Sequence, residues 1–138
     1  MKKLIRKIFL NKEIKSKFGE LHFQRWTLIS LPWFSIYIHF IYKADEDAHL
    51  HNHPWNYLSF VLYGTFVEQT ENNHLECILP GKTIIRKAKA YHKITDIFTN
   101  KIITLFITGK RFNEWGYEVN GKFVGHKEYR ILKNENKL

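Results

Sequence analysis

The sequence predicts an all-β domain, either a double-sheet jelly roll or a small barrel. Many short segments rich in β-branched and aromatic residues follow one another, with turn signals at close spacing. After residue 18 there is almost no helical periodicity. A chain of 138 residues that is 44% hydrophobic and 16% aromatic can form one well-filled core.

The first 18 residues are the exception to this pattern. Their apolar residues recur at helical spacing and make a single stripe, while lysines and arginines fill the other positions. We therefore expect a basic N-terminal helix, residues 1–18, whose stripe packs on the barrel. The alternative is a segment that touches phosphate, nucleic acid or a membrane surface. The stripe consists of Leu4, Ile5, Ile8 and Phe9.

The first strands are predicted at 21–26 and 33–43, with a break at Leu31-Pro32. In the second strand, alternation separates an apolar face from a polar one. The polar face carries Ser35, Tyr37 and His39 and is suited to line a pocket.

The remaining chain is expected to form strands and turns up to residue 130. Tyr63-Gly64 and Pro80-Gly81 are turn signals. Residues 19–130 are thus predicted to be one barrel domain, and residues 131–138 a polar tail. The predicted strands are 51–62, 65–70, 75–79, 82–87, 91–97 and 102–108, with short segments at 115–117 and 123–124.

Charge and cysteine content limit the classes of partner. The net charge of +9 would suit anionic partners, but the lysines are scattered after residue 17, which favours a solvated lysine-rich surface instead. Cys77 is the only cysteine, which excludes an internal disulfide and a multi-cysteine zinc site. With no signal-peptide pattern and no apolar run of about 18 residues, we expect a cytoplasmic protein without a membrane span.

The chemistry concentrates in the stretch from His49 to Trp55. In an extended chain, alternate side chains point to one face, so His51 and His53 can reach a common point. Imidazole is the commonest protein ligand for a mid-transition metal. The stretch therefore predicts a metal held inside the β domain, with His49 at the rim.

This pattern resembles the cupin superfamily. His51-x-His53 followed by Gly64 is similar to the first cupin motif, and the interval from Gly81 to His92 is similar to the second. The resemblance implies a cupin-type double-stranded β-helix and a metal bound by His51, His53 and His92.

The chain departs from the cupin pattern at the usual glutamate ligand, whose place is taken by Leu58 and Ser59. This departure suggests a three-histidine site, as in cupin thiol dioxygenases, or a substitute carboxylate. Glu68 is the candidate, since a tight hairpin at Gly64 would set it opposite Ser59. The alternative is that Glu68 supports a ligand from behind or lies on the surface.

Residues 25–130 also resemble short cupin-like proteins of bacteria and phages. These proteins carry HxHPW near the middle and WGF or WGY near the end, as His51–Trp55 and Trp115–Tyr117 do here. This resemblance implies a fold and a site but no substrate.

Other candidates come from the chemistry an anionic substrate would need. Arg25 and Arg86 lie within predicted strands, and arginine offers a planar fork for a carboxylate or phosphate. Tyr91 is a candidate proton donor, as are Tyr37 and Tyr57.

The leading functional hypothesis is a mononuclear Fe(II)-dependent dioxygenase acting on a small anionic molecule. Zinc, nickel or manganese at the same site would favour isomerase, lyase or hydrolase chemistry. A non-enzymatic module that binds a small ligand is the alternative. Nucleic-acid binding is permitted by the charge but supported by no motif. By resemblance, a homodimer formed through sheet edges is expected.

Overall fold

The computed structural model describes residues 10–15 and 19–138. Within these residues the chain forms eleven β-strands, one 3₁₀ turn at Glu71–Asn73 and one α-helix. The elements are β1 (Leu10–Lys15), β2 (Leu21–Ser30), β3 (Ser35–Ile41), β4 (Tyr57–Tyr63), β5 (Phe66–Thr70), β6 (His74–Ile78), β7 (Thr83–Arg86), β8 (His92–Ile97), β9 (Ile102–Thr108), β10 (Gly116–Val119), β11 (Lys122–Gly125) and α1 (His126–Asn134).

Two antiparallel sheets form the body of the domain. The larger has the order β1-β2-β3-β9-β4-β7 and the smaller the order β6-β5-β8, while β10 and β11 form a separate hairpin. Side chains from both sheets meet in one hydrophobic cluster, and the predicted all-β, double-sheet fold is confirmed. The buried members of this cluster are Val61, Phe66, Ile78, Ile94 and Ile102.

The interior changes from apolar to polar along the strands. At one end, Val61 of β4 and Ile102 of β9 belong to the hydrophobic cluster. Toward the other end, Tyr57 of β4 lies opposite Thr108 of β9, and both are buried. In β3, the predicted polar face does turn inward, since His39 is only 5% exposed. The alternation along each strand therefore gives the domain a polar interior at one end.

Gly64 is a crossing point between the sheets, and the predicted tight hairpin was wrong. β4 and β5 belong to different sheets, and Glu68 pairs in register with Glu76 and Ile94 rather than with Ser59. Gly64 has φ +101°, and a Cβ atom there would lie 2.5 Å from the carbonyl oxygen of Lys101. Glycine is therefore required where the chain bends past β9.

The N-terminal prediction was wrong for residues 10–15, which form strand β1 rather than helix. β1 pairs with β2 and forms the edge of the larger sheet, so it satisfies backbone groups of β2 that would otherwise stay unpaired. The rest of the predicted helix, residues 1–9 and 16–18, lies outside the described residues.

The C-terminal helix α1 was not predicted, and it includes the first residues of the expected polar tail 131–138. It packs on the hairpin of β10 and β11. Its buried Tyr129 stacks on Tyr117, with 3.7 Å between ring centroids. In the described part of the chain, no helix is long and apolar enough to cross a membrane.

Asp47 ties this helix to the loop before the histidines. It accepts hydrogen bonds from the Tyr117 hydroxyl and from Lys133. Burial alone would raise the pKa of Asp47, but these hydrogen bonds outweigh it and lower that pKa below its ordinary value. Since the pKa is lower in the folded state than in the unfolded chain, about 3.9, ionised Asp47 stabilises the fold fully above that pH. The stabilisation is lost as the pH falls through the folded-state pKa.

We therefore expect Asp47→Asn to lower the free energy of unfolding by about 1.5 kcal/mol at pH 7. The difference from wild type should shrink steadily below about pH 4, as wild-type Asp47 takes up a proton. Urea unfolding of both proteins at several pH values measures this. Exposed Asp96→Asn is the matched control. A difference that does not vary with pH would contradict the prediction.

Candidate metal centre

The segment that carries His51 and His53 is an extended loop, not the start of a strand. The predicted strand 51–62 was therefore wrong at its beginning, because β4 starts at Tyr57. Pro54, which has no N–H to donate to a ladder, interrupts the extended backbone. The loop is nevertheless fixed by exchanged backbone hydrogen bonds between His51 and His92, at 3.0 and 2.9 Å.

Three histidine rings meet at this point. Their centroids are 5.2 Å apart for His51 and His53, 4.7 Å for His51 and His92, and 5.1 Å for His53 and His92. One ring nitrogen from each lies within 4.8 Å of the others, a geometry that could hold a metal ion. The fold thus brings His92 to the pair that the sequence singled out, across 39 residues of chain.

The protonation of these rings suits metal binding. Burial and the neighbouring His92 lower the pKa of His51 to about 4. Burial, followed by the same neighbour, lowers the pKa of His53 well below its ordinary value. Both rings are therefore neutral at physiological pH, and each has a nitrogen lone pair to offer.

A buried carboxylate fixes the third ring. Glu68, 3% exposed, accepts a hydrogen bond from Nδ1 of His92 at 2.6 Å. Arg86 donates to both oxygens of the same carboxylate, at 2.6 and 2.9 Å. Burial alone would raise the pKa of Glu68, but the hydrogen bonds from His92 and Arg86 lower it to about 2. Glu68 therefore stays ionised and holds the ring proton of His92 on Nδ1.

In this arrangement Glu68 orients His92 and is not itself one of the converging ligand groups. Both of its oxygens are engaged by Arg86, and it is not part of the group of converging ring nitrogens. With its proton on Nδ1, His92 presents the lone pair of Nε2 to His53 Nε2, 2.8 Å away. The hydroxyl of Tyr57 lies 3.2 Å from the same Nε2. The geometry favours the alternative in which the carboxylate orients a ligand.

The other predicted catalytic residues differ in their distance from the three rings. Arg86 is part of the cluster through Glu68 and also donates to the Tyr57 hydroxyl at 3.3 Å. Arg25 lies further along the interior, where its Nε donates to His39 Nε2 at 3.0 Å. Tyr91 is beside Glu71, to which its backbone N–H donates. Within the described chain, the hydroxyl of Tyr91 makes none of the hydrogen bonds that join the cluster.

Two cavities lie near these elements. The interior one, about 70 Å³, adjoins the cluster, whereas a surface groove of about 450 Å³ between β11 and α1 contains none of the three histidines. The interior cavity is therefore the one relevant to chemistry at the histidines. Its polar lining comes from His39, Tyr57, Ser59, Glu68, His92 and Thr104.

Asn52 and Gly116 support the histidine loop, and sequence reasoning missed both. Asn52, 3% exposed, accepts a hydrogen bond from the N–H of Gly116 at 2.8 Å through its side chain. Its own backbone N–H donates to the carbonyl of Gly116 at 3.0 Å. A Cβ atom on Gly116 would lie 2.1 Å from the carbonyl oxygen of Val124. The HxHPW and WGY motifs are thus joined by hydrogen bonds between Asn52 and Gly116.

We expect Asn52→Ala to lower the free energy of unfolding by about 2 kcal/mol, because the buried N–H of Gly116 loses its acceptor. Metal affinity should also fall, because the loop between the two histidines loses its anchor. Chemical denaturation and metal titration measure the two effects. Asn100→Ala, which removes only an exposed hydrogen bond with Tyr63, is the matched control. Equal losses in both variants would contradict a specific role for Asn52.

No family model matches the sequence, and no curated protein matches it. Solved structures do share the fold. A Klebsiella pneumoniae protein with a double-stranded β-helix domain has a TM-score of 0.57 at 13% identity, over 75% of this chain and 89% of the other. KdgF from Halomonas sp. has a TM-score of 0.55 at 15% identity, over 75% and 94%.

A third similar structure is that of HppE in its Fe(II) form with substrate, with a TM-score of 0.59 at 14% identity. The alignment covers 75% of this chain but only 57% of HppE. Identities this low show the fold alone. The predicted cupin-type double-stranded β-helix is therefore confirmed for this chain.

Proposed function

We propose that this protein is an enzyme that uses one Fe(II) ion, held by His51, His53 and His92, to oxidise a small anionic molecule with dioxygen. The observation that supports it is the convergence of three half-buried imidazoles, with one ring nitrogen of each within 4.8 Å of the others. The structurally similar HppE was solved in its Fe(II) form, which agrees with this choice of metal.

The residues present fit such an ion. Imidazole suits iron, zinc and nickel, and the rings of His51 and His53 are neutral. Two ligands at right angles on one ion, with bonds of about 2.1 Å, lie about 3.0 Å apart. The separation of 2.8 Å between the Nε2 atoms of His53 and His92 is close to this. Three protein ligands also leave positions for other molecules.

The protein's own groups would prepare the site for chemistry. Glu68 and Arg86 hold His92 in one orientation and one tautomer. Burial raises the pKa of Tyr57, so its hydroxyl keeps its proton and can donate a hydrogen bond to a bound molecule. Bound iron would supply the electrons needed to activate dioxygen.

The decisive experiment loads metal-free, tag-free protein anaerobically with Fe(II) and measures metal content and oxygen uptake. We expect one Fe(II) per chain and oxygen consumption with one or more members of a panel of small carboxylates and phosphate esters. Zinc, nickel and manganese should bind without supporting oxygen uptake. Oxygen consumption that does not depend on Fe(II), or on the three histidines, would contradict the proposal.

A Lewis-acid enzyme is the second candidate, because three histidines are also a catalytic zinc ligand set. In that case zinc, nickel or manganese would support turnover of the same panel under nitrogen. Ligand binding without turnover by any metal form would identify a binding module instead. Nucleic-acid association, cytoplasmic location and the division into 1–18, 19–130 and 131–138 stay predictions.

A further inference from the structure

Three basic residues lie side by side on the inner face of the larger sheet. Lys12 of β1 pairs in register with Arg25 of β2, and Arg25 pairs with His39 of β3. Directly paired residues on neighbouring strands point to the same face of a sheet. Since His39 lines the interior cavity, this basic row runs from the edge of the sheet toward the three histidines.

The basic row has no carboxylate partner. All 13 Asp and Glu residues of the chain lie in the described ranges, and none of them forms an ion pair with Lys12 or Arg25. Arg86, by contrast, is neutralised by both oxygens of Glu68. Two neighbouring cations without a counter-charge are unusual when one of them, Arg25, is half-buried, because the desolvation of its charge is not offset by pairing.

The guanidinium of Arg25 is fixed while its terminal nitrogens remain available. Its Nε donates to His39 Nε2, and its carbon lies 4.5 Å from the centroid of the Tyr37 ring. Among the described residues, neither terminal nitrogen makes a hydrogen bond to a side chain. Since Nε2 of neutral His39 accepts, the ring proton of His39 is on Nδ1 and forms a further donor. Such a set of donors matches a carboxylate or a phosphate.

We propose that Lys12, Arg25 and His39 form an anion-binding subsite that holds the carboxylate or phosphate of the substrate. This proposal rests on the proposed function, because the bound anion is a substrate only if the protein is the enzyme proposed above. Phe106 stacks on His39 at 4.4 Å, and its ring centroid is 6.4 Å from that of His53. One aromatic ring therefore separates the subsite from the histidines, so a molecule of a few carbon atoms can reach both.

The test is calorimetric binding of inorganic phosphate and of acetate to the metal-free full chain. We expect Arg25→Gln to weaken binding of the preferred anion about tenfold or more, and Lys12→Gln to weaken it several-fold. Lys110→Gln makes the same change in net charge on an exposed loop and should change affinity less than about twofold. Whether phosphate or acetate binds more tightly distinguishes the two anion classes.

Metal titration separates this proposal from the proposed function. Arg25→Gln and Lys12→Gln should bind one Fe(II) as wild type does, whereas His51→Ala/His53→Ala should lose the metal and keep the anion. Equal weakening in Lys12→Gln and Lys110→Gln would mean general attraction to the +9 charge and would overturn the subsite. Lys12 is exposed on the edge strand β1, so Lys12→Gln should fold normally. It therefore tests the subsite even if Arg25→Gln does not fold.

A separate observation concerns the outer face of the same sheet. An antiparallel sheet with one solvated face normally carries polar residues there. Here the outward positions of β3, β9 and β4 are all apolar, and Ile85 of β7 is 77% exposed. Within the described chain no element packs on this face, since α1 packs on β10 and β11. The outer-face residues of the three strands are Ile36, Ile38, Phe40, Ile103, Leu105, Ile107, Leu58, Phe60 and Leu62.

We infer that a second copy of this chain covers this outer face in a face-to-face dimer. The five neighbouring strands β2, β3, β9, β4 and β7 have four to ten residues each, seven on average. They span roughly 24 by 23 Å, or about 550 Å² in projection, and side chains enlarge that toward the about 800 Å² per partner of a stable interface. Two copies of charge +9 repel each other. Contact through this uncharged face does not place the positive side chains of one copy against those of the other. The resemblance to cupins implied a dimer formed through sheet edges. The apolar residues instead lie on the outer face of the larger sheet, which favours a face-to-face dimer.

Sedimentation equilibrium of the full chain tests the dimer. We expect dimers that tighten as salt rises, because screening weakens the repulsion between like charges while apolar contacts persist. Ile85→Lys and Leu105→Lys should dissociate the dimer, whereas Leu75→Lys, at a 60% exposed position on β6 of the smaller sheet, should not. A wild-type monomer at all concentrations, or dissociation by Leu75→Lys alone, would overturn the inference and assign the face to another occupant.

Discussion

His51→Ala/His53→Ala is expected to weaken Fe(II) binding more than 100-fold, to below detection in ordinary purification. Loss of a residue that merely supports a ligand already costs about 10–100-fold in metal affinity, and here two of three ligands are removed. The remaining ring, His92, would be left hydrogen-bonded to Glu68, and among the described residues no other histidine belongs to its group of possible metal ligands. A single imidazole does not hold a divalent ion firmly in water.

Metal analysis after anaerobic loading measures this effect, and unfolding of the metal-free variant shows whether its fold is intact. His74→Ala removes an exposed histidine on β6 and should keep a full complement of metal. Full metal content in the double variant would place the ion elsewhere, and the proposed enzyme would then lose its centre.

Glu68→Gln is expected to have the second largest effect, on both metal affinity and stability. The amide keeps the shape of the side chain but removes the charge that Arg86 and His92 share. Leaving the cation of Arg86, whose side chain is 14% exposed, without its counter-charge should cost about 3–5 kcal/mol of unfolding free energy. Metal affinity should fall about 10–100-fold, because His92 loses the acceptor that fixes its orientation and tautomer.

Two further variants separate these effects. Glu76→Gln removes an exposed carboxylate that pairs with Lys82, and it should change stability by less than about 1 kcal/mol. Glu68→Leu combined with Arg86→Met replaces the ion pair by apolar groups, which should recover much of the stability but not the metal affinity. If this double variant binds Fe(II) as tightly as wild type, the carboxylate has no role in orienting His92.

The class of fold could be predicted because alternation is a local property. The polar and apolar faces of β3 follow from the two-residue period of any strand, and they hold wherever that strand is placed. The same period indicated that His51 and His53 could reach one point, although Pro54 keeps them outside the regular strand. Imidazole chemistry then indicated a metal without any knowledge of the partner ring.

Two of the predictions that were wrong depended on which strands are neighbours. The hairpin at Gly64 was assumed from a turn signal, whereas the chain crosses there to the other sheet. Residues 10–15 were assigned to a helix from apolar spacing, whereas pairing with the edge of β2 makes them a strand. Tertiary contacts outweigh such weak local preferences, since a paired edge satisfies a whole row of backbone groups at once.

By itself, the sequence determined that the chain is a β domain with histidines able to bind a metal, because residue type and spacing along one strand are enough for both. Only the tertiary structure decided which groups share an environment. It set Glu68 against Arg86 and His92, and it left Lys12 and Arg25 without a carboxylate. Charge pairing depends on distance in space, and residues far apart in the chain come close only when strands pair and sheets close.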